Sequence, residues 1–120
     1  MKELHNIEEI NKLIQESKMA FIYFSGTTCG ACEVIRLKIE KLLANYPDIQ
    51  SGFMNADFHP ELAGSFRILS VPQFILYVLG KETIHEGKYF DLLDLERKIN
   101  RYYRMTTNGN AKSSQIGDID

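Results

Sequence analysis

Met19-Ala-Phe-Ile-Tyr-Phe-Ser-Gly-Thr-Thr-Cys-Gly-Ala-Cys32 is the stretch whose reading decides the fold. Met19–Phe24 is an unbroken apolar run, which suits a central strand covered on both faces. The small and polar residues Ser25–Thr28 stop it. The only two cysteines of the chain follow, three positions apart. On the first turn of a helix that spacing puts their Cβ atoms roughly 5–6 Å apart, and a disulfide needs about 3.5–4.5 Å. Cys29 and Cys32 are therefore close to bonding distance in either redox state. The unpaired N–H groups and the positive end of the helix stabilise a thiolate there. The loop such a bond closes is very short, so it adds little stability and is easily cycled. The pair reads as a redox dithiol. In a reducing compartment, a structural disulfide does not fit a lone pair of this kind. A metal site needs about four ligands, against two cysteines and three scattered histidines here. No metal and no bound cofactor are expected.

Working outward, Asn6-Ile-Glu-Glu9 has the form of a helix cap with a glutamate at the third helical position. Ile7, Ile10, Leu13 and Ile14 recur at helical spacing, which predicts a first helix over 7–17. Residues 2–5 are expected as a short edge strand. Beyond the cysteines, Ile35, Ile39, Leu42, Leu43 and Tyr46 form one face of a helix over 30–45. Arg36, Lys38, Glu40 and Lys41 are placed largely off that face. Gly52–Asp57 predicts a second strand, and Pro60 opens a short helix to Phe66. Ser70-Val71-Pro72 leads into a strand over Gln73–Leu79, with a turn at Gly80-Lys81 and a partner strand over Glu82–His85 that Gly87 breaks. Leu92, Leu95, Ile99 and Tyr102 predict a last helix over 91–104. Residues 1–105 are expected to form one α/β domain: a central mixed sheet of about four to five strands flanked by about four helices. Residues 106–120, rich in Asn, Gly, Ser and Asp, are expected as a polar, flexible tail.

The chain has 120 residues, 44% of them hydrophobic, and a net charge of −2. That balance, without a Lys/Arg run, argues against a nucleic-acid partner. The apolar runs are too short to span a bilayer, so no membrane partner is expected. The N-terminal residues have no apolar signal segment, which makes a cytoplasmic location the expectation.

At this point the chain resembles the thioredoxin family over residues 5–104. The resemblance rests on Phe21-Ile-Tyr-Phe24 entering Thr28-Cys29-Gly-Ala-Cys32, on Asn55-Ala-Asp57, on Ser70-Val71-Pro72-Gln73-Phe74, on Gly80-Lys81-Glu82 and on Gly87 before the last helix. It implies the thioredoxin fold and a thiol–disulfide oxidoreductase, most simply a protein-disulfide reductase serving electron transport and cell redox homeostasis. It implies Cys29 as the attacking nucleophile and Cys32 as the resolving thiol. It implies a cis bond before Pro72 and a backbone contact from Val71 to an extended substrate. Thr28, Gly30, Ala31 and Gly87 would border that substrate. Disulfide-containing proteins are the implied substrates, a recycling enzyme such as a thioredoxin reductase the implied partner, and a monomer the implied state.

The departures from the family pattern open two alternatives. The tryptophan that normally precedes the first cysteine is Thr28, and the residue between Gly30 and the second cysteine is Ala31 rather than proline. The buried aspartate six positions before the first cysteine is Tyr23, a poor base at neutral pH. The lysine that accompanies it is Phe53, and the kink proline of the helix is Leu37. A thioredoxin-like protein-binding module, or a specialised oxidant or isomerase with weak general reductase activity, therefore stands beside the reductase. Among the remaining candidates, Tyr23 reads as core packing with a satisfied hydroxyl. His59 and His85 read as surface residues, and Glu33 as a solvated carboxylate that opposes a thiolate at Cys29. Tyr89, Phe90, Tyr102 and Tyr103 read as packing for the last helix.

Overall fold

The computed structural model describes residues 1–107. In chain order the elements are β1 (Lys2–Glu3), α1 (Ile7–Glu16), β2 (Met19–Ser25), α2 (Gly30–Leu43), β3 (Gln50–Asn55), α3 (Pro60–Ser65), β4 (Gln73–Val78), β5 (Lys81–Gly87) and α4 (Leu92–Thr107). They build one five-stranded sheet in the order β1-β3-β2-β4-β5. β3 runs parallel to both β1 and β2, because helices carry the crossovers. β4 lies antiparallel to β2 and to β5.

The apolar run that opened the reading is continuous because β2 is buried on both faces. Successive side chains of a strand alternate between faces. Met19, Phe21 and Tyr23 point into a layer with Ile39, Leu43, Leu95, Ile99 and Tyr103 from α2 and α4. Ala20, Ile22 and Phe24 point into the opposite layer with Ile10 and Ile14 of α1 and Ala63 of α3. Both layers are buried, and β2 carries the cysteine loop on its C-terminal end. Among the described residues no helix is long and apolar enough to cross a membrane.

The N-cap of α1 forms as its sequence suggests. The Asn6 side chain accepts from Glu9 N at 2.8 Å. The Glu9 carboxylate accepts from His5 N at 2.8 Å, and that bond holds its pKa below the ordinary value. The hairpin differs by one residue from the expected one. Its turn is Leu79-Gly80, both with positive φ (52° and 81°), as a tight hairpin turn of this hand requires. β5 consequently starts at Lys81 and runs to Gly87, and a register irregularity lies between Leu76 and Tyr77. α4 extends to Thr107, so Thr106 and Thr107 belong to the helix rather than to the expected tail. The rest of that tail, 108–120, lies outside the described residues.

Three surface assignments change. The His85 side chain is only 20% exposed, because its ring bonds the Gln73 side chain across the β4–β5 ladder at 2.7 Å. His59 is half-buried at the start of α3. Tyr89 does not pack under α4; it stands 91% exposed, with the Lys88 ammonium 5.6 Å from its ring centroid. Phe90 and Tyr103 do pack inward, Phe90 edge-on against Phe74 and Tyr103 edge-on against Tyr46.

Candidate active site

Cys29 is the residue that caps α2, in extended conformation, and Cys32 is in the helix's first turn. Cys32 N donates to Cys29 O at 3.2 Å, which closes the turn. The two are joined by a disulfide with their Cα atoms 5.3 Å apart. Their surroundings differ. Cys32 is 4% exposed and belongs to the core. Cys29 is half-buried and faces a cleft of about 380 Å³ lined by Gly26, Thr28, Gly30, Ala31, Asp57, Val71 and Lys88. A substrate sulfur can reach Cys29 from that cleft, whereas protein covers Cys32.

The Val71–Pro72 bond is cis. Val71 borders the cysteine cleft and also a second, neighbouring groove of about 610 Å³. Ser70, Glu86, Gly87, Lys88, Tyr89 and Phe90 complete that groove. Thr28, Gly30, Ala31 and Val71 thus converge on the cysteine cleft. Gly87 lines the adjoining groove, beside the Pro72 carbonyl; a Cβ there would make ordinary contact with that oxygen, at 3.4 Å. Pro72 itself is buried and lines neither cleft.

The loop before the cysteines is tied to the end of β3. Asp57 Oδ2 accepts from Thr27 N at 2.7 Å, and Asn55 Nδ2 donates to Thr27 Oγ1 at 3.3 Å. Asn55 Oδ1 accepts from Asp57 N at 2.9 Å, so the amide and the acid brace each other. Gly26 permits the close approach: a Cβ there would lie 2.9 Å from Val71 Cγ2 and 3.2 Å from Asp57 Oδ2. Sequence reasoning quoted Asn55-Ala-Asp57 but gave it no task, and it passed over Gly26 and Lys88. The signal for Lys88 was its place directly after Gly87.

Beneath the cysteines the polar chemistry is unusual. Tyr23 is fully buried, and its hydroxyl donates to the Cys32 carbonyl at 2.7 Å. Burial pushes its pKa well above the ordinary tyrosine value, so it stays protonated and acts as a donor. Glu33 is exposed as expected, but its carboxylate accepts from Arg36 Nη2 at 2.8 Å. Its opposition to a thiolate at Cys29 is thereby offset. Arg36 does not sit off the helix's buried face. Its guanidinium lies 4.8 Å from the centroid of the Phe53 ring, and its side chain is 24% exposed.

A sheet with a dithiol at a helix N-terminus, one sulfur open and one enclosed, and a cis-proline beside it defines a protein that exchanges thiols with disulfides. Comparison with known proteins gives the family. The thioredoxin family model matches residues 2–101. The thioredoxin-like protein YdfQ of Bacillus subtilis is 33% identical over 105 residues, which are 88% of this chain and 94% of that protein. Mitochondrial thioredoxin-3 of Saccharomyces cerevisiae is 31% identical over 86 residues, 72% of this chain and 65% of that protein. The crystal structure of the oxidised form of that yeast thioredoxin superposes with a TM-score of 0.75 at 26% identity, covering 84% of this chain and 94% of that one. The chain belongs to the thioredoxin family, has the thioredoxin fold and is a thiol–disulfide oxidoreductase.

Proposed function

We propose that this oxidoreductase works as a protein-disulfide reductase with Cys29 as the attacking thiol and Cys32 as the resolving one. The observation that carries the assignment is the asymmetry of the pair: Cys29 opens to the cleft and Cys32 is 4% exposed. Cys29 thiolate attacks one sulfur of a substrate disulfide. That S–S bond breaks, a mixed disulfide forms, and the other substrate sulfur leaves as a thiolate that takes a proton. Cys32 thiolate then attacks the Cys29 sulfur, releases the second substrate thiol and leaves the Cys29–Cys32 disulfide. Two electrons pass to the substrate, and an external dithiol donor such as a thioredoxin reductase returns them.

Attack needs a fixed approach more than a strong base. An extended substrate would lie along Val71, using its backbone as one rung of added strand, with Thr28, Gly30 and Ala31 on one side and Gly87 on the other. Lys88 borders both grooves and the exposed ring of Tyr89 borders the adjoining one, which offers an aromatic contact in a chain without tryptophan. Disulfide-containing proteins are the substrates this groove fits. Residues 1–107 would act as one unit, as a monomer, in the cytoplasm.

Turbidimetric reduction of insulin by dithiothreitol tests this. The protein should accelerate precipitation, and Cys29→Ser and Cys32→Ser should each abolish the acceleration, with Cys32→Ser trapping a mixed disulfide. No rate above dithiothreitol alone would refute general reductase activity. Trapping by Cys29→Ser instead would reverse the two roles.

A further inference from the structure

Arg36 presents an unsolved cost. Its Nε is buried and has no hydrogen-bond partner, while Nη2 is engaged by Glu33 and the plane of the group lies against Phe53. A buried donor without a partner is destabilising, the more so on a charged group. The surroundings explain where the charge is aimed. Arg36 is four residues after Cys32 on α2, so the two side chains are neighbours on one face, with Cβ atoms roughly 5–6 Å apart. Helical side chains lean toward the N-terminus, which brings the guanidinium toward the Cys32 turn. Phe53 is the register partner of Tyr23 on the adjacent strand, so the cation lies beside the hydroxyl that bonds the Cys32 carbonyl.

We propose that Arg36 is the electrostatic positioning residue for the resolving step: in the mixed disulfide with substrate, its fixed positive charge favours the Cys32 thiolate that attacks the Cys29 sulfur. The proposal rests on the assignment of Cys32 as the resolving thiol. Arg36 takes no proton and touches no substrate. It replaces a base with a cation: where the family pattern has a buried carboxylate, Tyr23 is a neutral donor whose proton is already committed. The charged groups on this side of α2 are few. Glu33 and Arg36 come from the helix itself, Tyr23 from β2 is uncharged, and β3 presents Phe53. Asp57 and Lys88 face Cys29 from the cleft.

The magnitude can be bounded. An opposite charge within about 4–6 Å shifts a neighbouring acid by about one to three units. A less acidic thiolate is intrinsically the better nucleophile, which gives back about half of that on a logarithmic scale. Loss of the charge should therefore slow resolution about three- to thirtyfold at neutral pH.

Stopped-flow mixing of the reduced enzyme with Ellman's reagent separates the two steps. Attack by Cys29 releases a first thionitrobenzoate, and resolution by Cys32 releases a second. Arg36→Met should leave the first phase within about twofold, slow the second by the factor above, and move the second phase's pH midpoint upward. Arg36→Lys should recover most of the rate, and Glu33→Gln, which removes the ion-pair partner but keeps the cation, should not slow it. A second phase unchanged in Arg36→Met overturns the proposal. Equal slowing in Arg36→Lys and Arg36→Met, with no change in pH midpoint, also overturns it by assigning Arg36 a packing role. A missing first phase in the wild type would refute the nucleophile assignment instead.

Discussion

Replacing Tyr23 by phenylalanine separates a structural hydroxyl from a catalytic one. The hydroxyl is fully buried and donates to the Cys32 carbonyl at 2.7 Å. That carbonyl keeps its ordinary helical partner, the N–H four residues on, so the variant orphans no group. The loss is then one net hydrogen bond, about 0.5–1.5 kcal/mol. The ring stays within the layer formed with Ile39 and Phe74, and the void left by one oxygen is too small to add much. For a domain of this size that is a fall in Tm of roughly 3–8 °C, measurable by thermal or urea unfolding of the oxidised form. Because burial raises its pKa, the hydroxyl holds its proton throughout the neutral range. Insulin reduction by Tyr23→Phe should therefore keep its rate within about threefold and an unchanged pH profile. A loss of more than about tenfold in turnover with the fold intact, or a profile displaced along the pH axis, would refute the argument and make Tyr23 a proton donor or acceptor in the reaction.

Other consequences follow from single contacts. Gly26→Ala should cost about 1–3 kcal/mol and raise KM for insulin more than it lowers kcat, because the new methyl presses on Val71 and Asp57; steady-state kinetics with urea melts check both parts. Gly52→Ala puts a Cβ 2.6 Å from Leu4 Cδ1 and 3.0 Å from Lys2 O, so it should detach β1 and speed amide exchange of Leu4 while leaving insulin reduction intact. Stability should fall on the alkaline side. Tyr77 is pushed up to about 12, and Tyr46 and Tyr103 are raised as well, all chiefly by burial. Above about pH 10 the unfolded chain releases tyrosine protons that the folded one retains, so stability is full below pH 10 and declines above it. Tyr77 alone contributes a loss of about 2 kcal/mol by pH 12. Urea melts at pH 9 and pH 11 with the same midpoint would contradict this.

How much of this was legible depended on whether the relevant neighbours are near in sequence. The cysteine pair, the caps of α1 and the strand β2 are local features, and the sequence reading placed them within a residue or two. Pro72 lies 40 positions after Cys32, and no local pattern brings Val71 to the cleft; only the thioredoxin resemblance did. Asn55 and Asp57 were visible as letters, but their task depends on the backbone of Thr27 arriving from another strand. Tyr89 and Phe90 are adjacent aromatic residues, and no local pattern distinguishes the one that turns inward, Phe90, from the exposed Tyr89.

Arg36 is the instructive error, because the geometry was readable and the chemistry misled. Cys32, Ile39 and Leu43 are buried, at spacings of seven and four. The position that completes their stripe, one turn after Cys32, is 36. A helical face assigned from hydrophobic residues alone steps around it, since an arginine counts as polar. Two other residues decide whether a cation can occupy such a place. The strand position opposite must offer a ring rather than a second charge, and Phe53 does. The helix must supply an acid within a turn, and Glu33 does. A guanidinium suits these terms better than an ammonium, since its flat, weakly hydrated plane can stack on a ring while its edge still donates. The departures from the family pattern at Tyr23 and Phe53 therefore belong together with Arg36. A buried carboxylate at position 23 would have faced this cation, whereas a neutral hydroxyl leaves Glu33 as its ion-pair partner and, in the mixed disulfide, Cys32 as the thiol whose ionised form it would favour.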